Sequence, residues 1–331
     1  ELFRLNLSHN CIEWHLKVIN NIRQVAPSSS ILADIPGRKI RTTLNVCKEK
    51  FNKDEKIYVV SNDFTEDFKK SNYIYEVNNN ILFNIVKKGM TIYADDGRLS
   101  FEVENVNDKC ITLIAQCDGI LKEFKGINIP ESSFGKEELT EKDKYFLDFC
   151  CNHKIDFVGI SFVDKADYMK KIQDYIGERH PKAIAKIENS SAIRNLSEIL
   201  KISYGIMIDR GDLSVETNPN SIGIFQKKIL IEANKLGVPV IVATEMLHSM
   251  QESLHPTKAE CNDITNTVLD GASCLMLSGE TAVGNNPYES IRTMSSIIDL
   301  TKKYILDTNK NPLEYFGSNQ SSQADLMAGS V

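Results

Sequence analysis

The chain has 331 residues, of which 42% are hydrophobic and 25% are charged, a composition typical of a globular protein. Its formal net charge of −6 gives no electrostatic reason to expect nucleic acid as a partner. No apolar run reaches membrane-spanning length, nothing at the start resembles a signal peptide, and the eight cysteines lack metal-ligand spacing. We therefore expect one large or two modest domains in the cytoplasm, with no membrane partner.

Strand-like and helical segments alternate in both outer parts of the chain. The first part begins with an alternating run over 2–8, continues with a helix over Ile12–Val25 and ends with a short buried strand over 30–34. After residue 126 the same rhythm returns, with strands predicted over 155–161, 183–188, 205–209, 238–244 and 273–277. These repeated units predict an α/β fold with a parallel sheet, most simply a TIM (β/α)8 barrel.

Helix starts are well marked in the second part. Ser221 precedes an amphipathic run as a candidate N-cap, Thr257 and Glu260 form a capping-box pattern, and Pro287 is placed for the first position of a helix. Residues 43–126 differ, because short alternating runs follow one another between turn signals such as Asp118-Gly119. This middle region predicts a small all-β domain inserted into the larger one.

Only seven strands of the larger domain are recognisable. A barrel with seven strands would leave an unpaired edge, which folds avoid. The sequence thus predicts either one unrecognised strand or a chain that begins after the first β/α unit.

Charged side chains follow two successive strands of the predicted sheet. Lys186 and Glu188 lie at the end of one strand, and because they are two residues apart they share a face. Asp212 follows the next strand, after a break at Arg210-Gly211. Carboxylates and a lysine at the carboxyl ends of parallel strands favour a site for a metal ion and a phosphate. The alternative is that these carboxylates cap the helices that follow the strands.

A series of short motifs, in their order and spacing, resembles the pyruvate kinase family. Each motif alone is weak, but the series is specific and spans nearly the whole chain. The motifs are Phe3-Arg-Leu-Asn-Leu-Ser-His9, Asp34, Arg41-Thr42, Tyr93-Ala-Asp-Asp-Gly97, Lys125-Gly-Ile-Asn128, Ser161-Phe162, Lys186-Ile-Glu-Asn189, Arg210-Gly-Asp-Leu213, Ala243-Thr244, Pro256-Thr257, Ala259-Glu260 and Leu277-Ser-Gly-Glu-Thr281.

The resemblance implies a domain organisation. The TIM barrel would occupy 1–42 and 127–303, its first β/α unit missing, with an inserted β-barrel cap domain over 43–126. Residues 304–331 would be a linker and the start of a truncated C-terminal domain. For the full-length protein it also implies a homo-oligomer, a tetramer.

The resemblance further implies glycolytic phosphoryl transfer from phosphoenolpyruvate to ADP, giving pyruvate and ATP. Glu188 and Asp212 would hold Mg²⁺, for which Mn²⁺ can substitute. The catalytic residues would be Lys186, Arg4, Thr244 and Ser278. Substrate would bind at Lys186, Gly211, Asp212 and Thr244, where the backbone N–H groups of a helix start suit a carboxylate. Nucleotide would bind at Asn6, His9, Arg41 and Lys125.

Two departures from the family pattern bear on this site. The family's monovalent-cation site matches Asn6, Ser8, Asp34 and Ile35, but Lys39 stands where many members have glutamate. In the family a lysine there accompanies independence from K⁺, so K⁺ is not expected to be required. Asp209 stands where the family usually has alanine, and a carboxylate about 6 Å from the substrate anion would cost roughly 3 kcal/mol. We expect weakened phosphoenolpyruvate binding unless Asp209 pairs with Arg210 or another cation.

Two other functions remain open at this point. The first is a divergent, pyruvate-kinase-like phosphotransferase of a specialised pathway that uses another acceptor. The second is a truncated, inactive homologue that only binds Mg²⁺ and pyruvate-like anions. A pyruvate-forming assay would separate them.

Overall fold

A seven-stranded parallel sheet forms the larger part of the fold. The computed structural model describes residues 2–37, 39–45, 50–61, 64, 73–95, 97–130 and 138–308. Strands and helices are numbered along the chain, and neighbours in the sheet are parallel throughout. In sheet order the strands are β1 (Leu2–Asn6), β2 (Ser30–Ile35), β10 (Phe157–Ile160), β11 (Lys182–Ile187), β12 (Gly205–Asp209), β13 (Val240–Ala243) and β14 (Cys274–Met276). All seven predicted strands are confirmed.

Helices connect these strands. Helix α4, for example, buries Tyr168, Met169, Ile172 and Ile176 in the larger apolar core. The helices are α1 (Ile12–Val25), α2 (Leu82–Ile85), α3 (Glu141–Asn152), α4 (Ala166–Ile176), α5 (Ser190–Arg194), α6 (Leu196–Ile202), α7 (Arg210–Glu216), α8 (Ile222–Lys235), α9 (Lys258–Leu269), α10 (Gly279–Ala282) and α11 (Pro287–Thr308).

The predicted helix starts are confirmed in two of three cases. Thr257 and Glu260 form the capping box of α9, with Glu260 Oε2 accepting from the Thr257 N–H at 2.7 Å. Pro287 is the first residue of α11. Ser221 directly precedes α8, but its hydroxyl makes no capping hydrogen bond, so the prediction of a side-chain cap is wrong. A 3₁₀ turn over Pro219–Ser221 leads into that helix instead.

Both faces of the parallel sheet are buried. Every residue of β12 and β13 is buried, as expected for central strands covered on both sides. One face packs against the helices in the larger apolar core. On the other face, residues of five strands meet in a separate cluster, so the sheet is curled; its buried members are Leu32, Ile184, Met207, Ile241, Ala243 and Met276.

The middle region folds as a separate unit, a small closed β-barrel with its own core. Strand β3 pairs with both β5 and β9, which closes the barrel, and Phe51, Tyr75 and Phe101 fill its interior. The short helix α2 interrupts an otherwise β region, a feature the alternating pattern did not predict. The strands are β3 (Ile40–Asn45), β4 (Lys56–Val60), β5 (Ile74–Val77), β6 (Thr91–Ala94), β7 (Leu99–Val106), β8 (Cys110–Ala115) and β9 (Gly126–Asn128).

The parallel sheet ends at β1 on one side and β14 on the other within the described residues. An eighth strand that would close it as a (β/α)8 barrel is therefore not among them. Helix α11 continues to Thr308, and residues 309–331, where a truncated domain was predicted to begin, lie outside the described residues. No helix in the described ranges is long and apolar enough to cross a membrane.

Candidate active site

The polar residues predicted from the sequence converge at the carboxyl ends of the parallel strands. Because the strands run in one direction, the residues that end them meet at one edge of the sheet. Lys186 lies near the end of β11, Asp209 ends β12, and Thr244 follows β13. Asp34 lies near the end of β2 and pairs in register with Asn6 of β1.

Lys186 lies at the centre of this arrangement and is buried. Its Nζ lies 2.7 Å from Glu188 Oε1, 3.2 Å from Asp34 Oδ2 and 3.2 Å from Asp209 Oδ2. Burial alone would lower the pKa of Lys186, but the three carboxylates raise it well above its usual value. Lys186 is therefore a fixed positive charge at neutral pH and is unsuited to act as a base.

Glu188 is fully buried beside Lys186. Its Oε2 accepts a hydrogen bond from the Phe162 N–H at 2.5 Å, and Phe162 has a positive φ of 54°. Burial raises the pKa of Glu188 to about 8, Lys186 opposes the shift, and the nearby Asp209 and Asp212 add to it. Neither Glu188 nor Asp212 is the N-cap of a helix, because Asn189 caps α5 and Asp212 lies inside the first turn of α7.

Three carboxylates fit a divalent cation. One oxygen from each of Glu188, Asp209 and Asp212 lies within 4.8 Å of the others. Such a set of hard oxygen donors suits Mg²⁺ or Mn²⁺, which take carboxylates together with water or substrate oxygens. The sequence predicted Glu188 and Asp212 for this role, and the structure brings Asp209 to the same place.

Asp209 has a cationic partner. Its carboxylate contacts Lys186, while the neighbouring Arg210 binds Asp263 Oδ2 at 2.7 Å and the Thr244 carbonyl oxygen at 2.8 Å. Burial raises the pKa of Asp209, but Lys186, Arg4 and Lys39 lower it by more, so the pKa lies below its usual value. The condition stated from the sequence, pairing with Arg210 or another cation, is therefore met by Lys186.

Thr244 and Gly211 are brought together at the start of α7. The Gly211 N–H donates to Thr244 Oγ1 at 2.8 Å, and that hydroxyl donates to the Ala243 carbonyl oxygen at 2.6 Å. Thr244 also has a positive φ of 72°. To accept a hydrogen bond from the Gly211 N–H, a substrate carboxylate would have to replace the Thr244 hydroxyl as the acceptor.

Ser278 lies beyond the end of β14. Its Oγ is buried and finds no hydrogen-bond partner within the described ranges, while its N–H donates to Glu280 Oε2 at 2.8 Å. A buried hydroxyl without a partner is costly, so this oxygen is available to a bound molecule.

The predicted monovalent-cation residues lie at the ends of β1 and β2. The Ser8 N–H donates to Asn6 Oδ1 at 3.1 Å, and the Ile35 carbonyl oxygen accepts from Ser161 at 3.1 Å. Arg4 Nη2 donates to Asp34 Oδ2 at 2.5 Å. Lys39 forms an ion pair with Asp212, a predicted metal ligand.

The predicted nucleotide residues lie beside this cluster. Burial, Arg41 and Arg4 lower the pKa of His9, in that order of size, so His9 lies near both guanidinium groups and is neutral at neutral pH. Arg41 donates to the Phe124 carbonyl oxygen at 3.1 Å, and Lys125 pairs with Asp95 at 2.5 Å. Both cations are thus held by the small barrel, close to its junction with the parallel sheet.

Comparisons with known proteins identify the family of the chain. A family profile described as pyruvate kinase, barrel domain, matches residues 1–291. The chain belongs to the pyruvate kinase family. Pyruvate kinase of Thermococcus litoralis is 36% identical over 308 residues, which cover 91% of this chain and 64% of the relative. Pyruvate kinase 1 of Saccharomyces cerevisiae is 36% identical over 314 residues, covering 92% of this chain and 63% of the relative.

A third relative gives the same result. Pyruvate kinase of Borreliella burgdorferi is 36% identical over 310 residues, covering 92% of this chain and 63% of that protein. The chain spans less than two thirds of the length of these pyruvate kinases.

Two ion pairs of the site were not foreseen from the sequence. The Lys39–Asp212 pair joins residues 173 positions apart. The Lys186–Asp209 pair joins the ends of adjacent strands. Once β11 is placed beside β12 in a parallel sheet, the two side chains are expected to be close. The sequence suggests Arg210 as a partner for Asp209. In the structure it donates to the Thr244 carbonyl oxygen in the loop after β13.

Proposed function

We propose that this protein transfers a phosphoryl group from phosphoenolpyruvate to ADP, giving pyruvate and ATP, with Mg²⁺ as its divalent cation. The observation that carries the proposal is the position of Lys186 among carboxylates at the strand ends, with Asp212 beside them, in a chain of the pyruvate kinase family. Glycolysis in the cytoplasm is the expected setting. A sheet closed as a TIM barrel, the domain boundaries at 43 and 126, and a tetramer of the full-length protein remain predictions.

Phosphoryl transfer concentrates negative charge on the transferring oxygens, so catalysis depends mainly on positioning and charge stabilisation. Lys186 is suited to this role because its neighbours keep it protonated. Glu188 and Asp212 would hold the divalent cation, which supplies further positive charge when bound. Arg4, held by Asp34, adds a second fixed cation on the same side.

The chain also has groups suited to the pyruvate part of the substrate. The N–H groups at the start of α7, at Gly211 and Asp212, suit a carboxylate once the Thr244 hydroxyl yields its contact. The Ser278 hydroxyl, which has no hydrogen-bond partner among the described residues, is suited to moving a proton. The nucleotide would lie near Asn6, His9, Arg41 and Lys125, where Arg41 and Lys125 offer positive charge to phosphates.

The test is formation of pyruvate, measured with lactate dehydrogenase as the coupling enzyme. We expect NADH oxidation that requires phosphoenolpyruvate, ADP and Mg²⁺ together, and that falls at least about 10²-fold in Lys186→Met. The matched control is Lys227→Met, which removes a lysine paired with Asp270 outside the site and should leave the rate unchanged. Absence of ADP-dependent pyruvate formation by the purified protein would reject the proposal.

The two alternative functions predict different results in this assay. A protein that binds Mg²⁺ and pyruvate-like anions without turnover would give cation binding in the absence of any pyruvate signal. A divergent phosphotransferase would consume phosphoenolpyruvate with an acceptor other than ADP. The same assay, run with phosphate and pyruvate measured separately, separates the three.

A further inference from the structure

Asp209 is the carboxylate that the proposed chemistry does not use. It ends β12, is buried, and its Oδ2 lies 3.2 Å from Lys186 Nζ. One of its oxygens also lies within 4.8 Å of oxygens from Glu188 and Asp212. It therefore contacts the fixed cation Lys186 and lies close to both expected metal ligands.

The charges around Asp209 are close to balanced. The cluster contains the carboxylates of Asp34, Glu188, Asp209 and Asp212. Facing them are three cationic side chains, Arg4, Lys39 and Lys186. Among the described residues of the cluster, four carboxylates thus face three cations, and Asp209 contributes to the negative charge that remains when all of them are ionised.

We propose that Asp209 acts as an internal anion that stands in for a carboxylate of the substrate. In the absence of substrate it contacts Lys186 and offers the divalent cation a third carboxylate ligand. A small anion such as phosphoenolpyruvate then binds by displacing Asp209 from Lys186 and from the cation. Asp209 thus determines how tightly substrate-like anions bind. This inference rests on the proposed function of the cluster.

Two measurable consequences follow from this arrangement. A divalent cation alone should bind more tightly than it would with two carboxylates, because each added carboxylate strengthens the attraction to a cation. A substrate-like anion should bind more weakly than it would without Asp209, since two like charges compete for the same cations. Removal of Asp209 should therefore change the two affinities in opposite directions.

The experiment measures two dissociation constants in the full chain. Mn²⁺ alone is titrated by electron paramagnetic resonance, and oxalate, a small dianion, is then titrated at saturating Mn²⁺. We expect Asp209→Ala to bind Mn²⁺ about tenfold more weakly and oxalate about tenfold more tightly. Asp209→Asn keeps the volume of the side chain and should shift both constants in the same directions.

Asp270→Asn is the matched control, because it removes a carboxylate whose lysine partner, Lys227, lies outside the cluster. It should leave both constants unchanged. If both Asp209 variants leave the oxalate constant unchanged or weaken it, or leave the Mn²⁺ constant unchanged, the proposal is overturned. If Asp209→Ala does not fold, the Asn variant decides alone.

The proposed function and this inference fail in different ways. If the unsubstituted protein binds no Mn²⁺, the cluster is not a metal site and the proposed function fails with it. If Glu188→Gln abolishes Mn²⁺ binding while the Asp209 variants behave like the unsubstituted protein, the metal site stands and only the inference about Asp209 fails.

Discussion

Glu188 is the residue whose charge depends most on what binds beside it. It is fully buried, and burial raises the pKa of its carboxyl group to about 8 in the absence of a cation. Below that pKa the folded protein holds a proton that a metal ion must expel, since carboxylates bind metals in the deprotonated form. A proton count therefore reports directly on whether Glu188 is a ligand.

We predict that Mn²⁺ binding at about pH 7 releases about one proton, and that release disappears at about pH 9.5, where Glu188 is already ionised. Calorimetric titration in two buffers with different ionisation enthalpies measures the number released. Glu188→Gln is the control, in which release at the lower pH should be lost together with tight binding. Equal proton release at both pH values would rule out Glu188 as the source.

Arg210 acts on stability through the loop that carries Thr244. It is buried and binds the Thr244 carbonyl oxygen through Nε and Nη2, and Asp263 through Nη1. We predict that Arg210→Met lowers the free energy of unfolding by about 3 kcal/mol, because the partly buried Thr244 carbonyl and Asp263 carboxylate lose a buried donor. Chemical denaturation measures the change.

The control for Arg210 is Lys227→Met. It breaks an ion pair in which the lysine is 42% exposed, so the cost should be below about 1 kcal/mol. Similar losses in the two variants would show that the buried guanidinium has no special role in holding the loop.

At the scale of elements, the junction between the small barrel and the parallel-sheet part of the fold includes a buried contact between α7 and β9. Asn128 Nδ2 donates to Glu216 Oε1 at 2.8 Å, and both side chains are buried. Burial raises the pKa of Glu216 to about 7, with Asp212 adding to the shift and Asn128 opposing it. Gly97 lies at the same junction, because a Cβ there would lie 3.1 Å from Val215 Cγ2.

We predict that ionisation of the buried Glu216 makes the fold less stable as the pH rises from about 4.5 to about 7. The folded pKa of Glu216 is above its unfolded value, so the protonated form stabilises the fold fully below about pH 4.5 and the contribution is lost as the pH passes the folded pKa. The whole contribution is roughly 3 kcal/mol. Glu216→Gln should remove this pH dependence, as measured by denaturant unfolding between pH 5 and about pH 8.5. An unchanged pH profile in that variant would contradict the assignment.

Elements built by local signals were predictable from the sequence, and the contacts between them were not. Helix α1 was predicted at its observed ends because the apolar periodicity that indicates it is local to the segment. The four-residue helix α2 was missed because it is shorter than two full turns and has no recognisable period. Lys186 and Glu188 were found together because two residues of one strand share a face, whereas Lys39–Asp212 depends on how the small barrel sits against α7.

At the scale of the whole molecule, charges from the segment leading into the small barrel and from the parallel-sheet part of the fold meet at the ends of the parallel strands. Lys39 lies directly before β3, yet its ammonium pairs with Asp212 at the start of α7. We predict that the rate of pyruvate formation in K⁺ and in tetramethylammonium differs by no more than about threefold, a difference below 1 kcal/mol. Lys39→Glu, which restores the residue common in the family, should make the rate depend on K⁺. A many-fold rise with K⁺ in the unsubstituted protein would contradict this.

The central claim is that the carboxylate cluster binds a divalent cation needed for phosphoryl transfer. Phosphorus nuclear magnetic resonance follows the transfer directly, through loss of the phosphoenolpyruvate signal and growth of the ATP γ-phosphate signal. The account predicts equal amounts of both with Mg²⁺, no transfer when the cation is chelated, and a rate at least about 10²-fold lower in Asp212→Asn. Transfer that continues without a divalent cation, or at the full rate in Asp212→Asn, would contradict it.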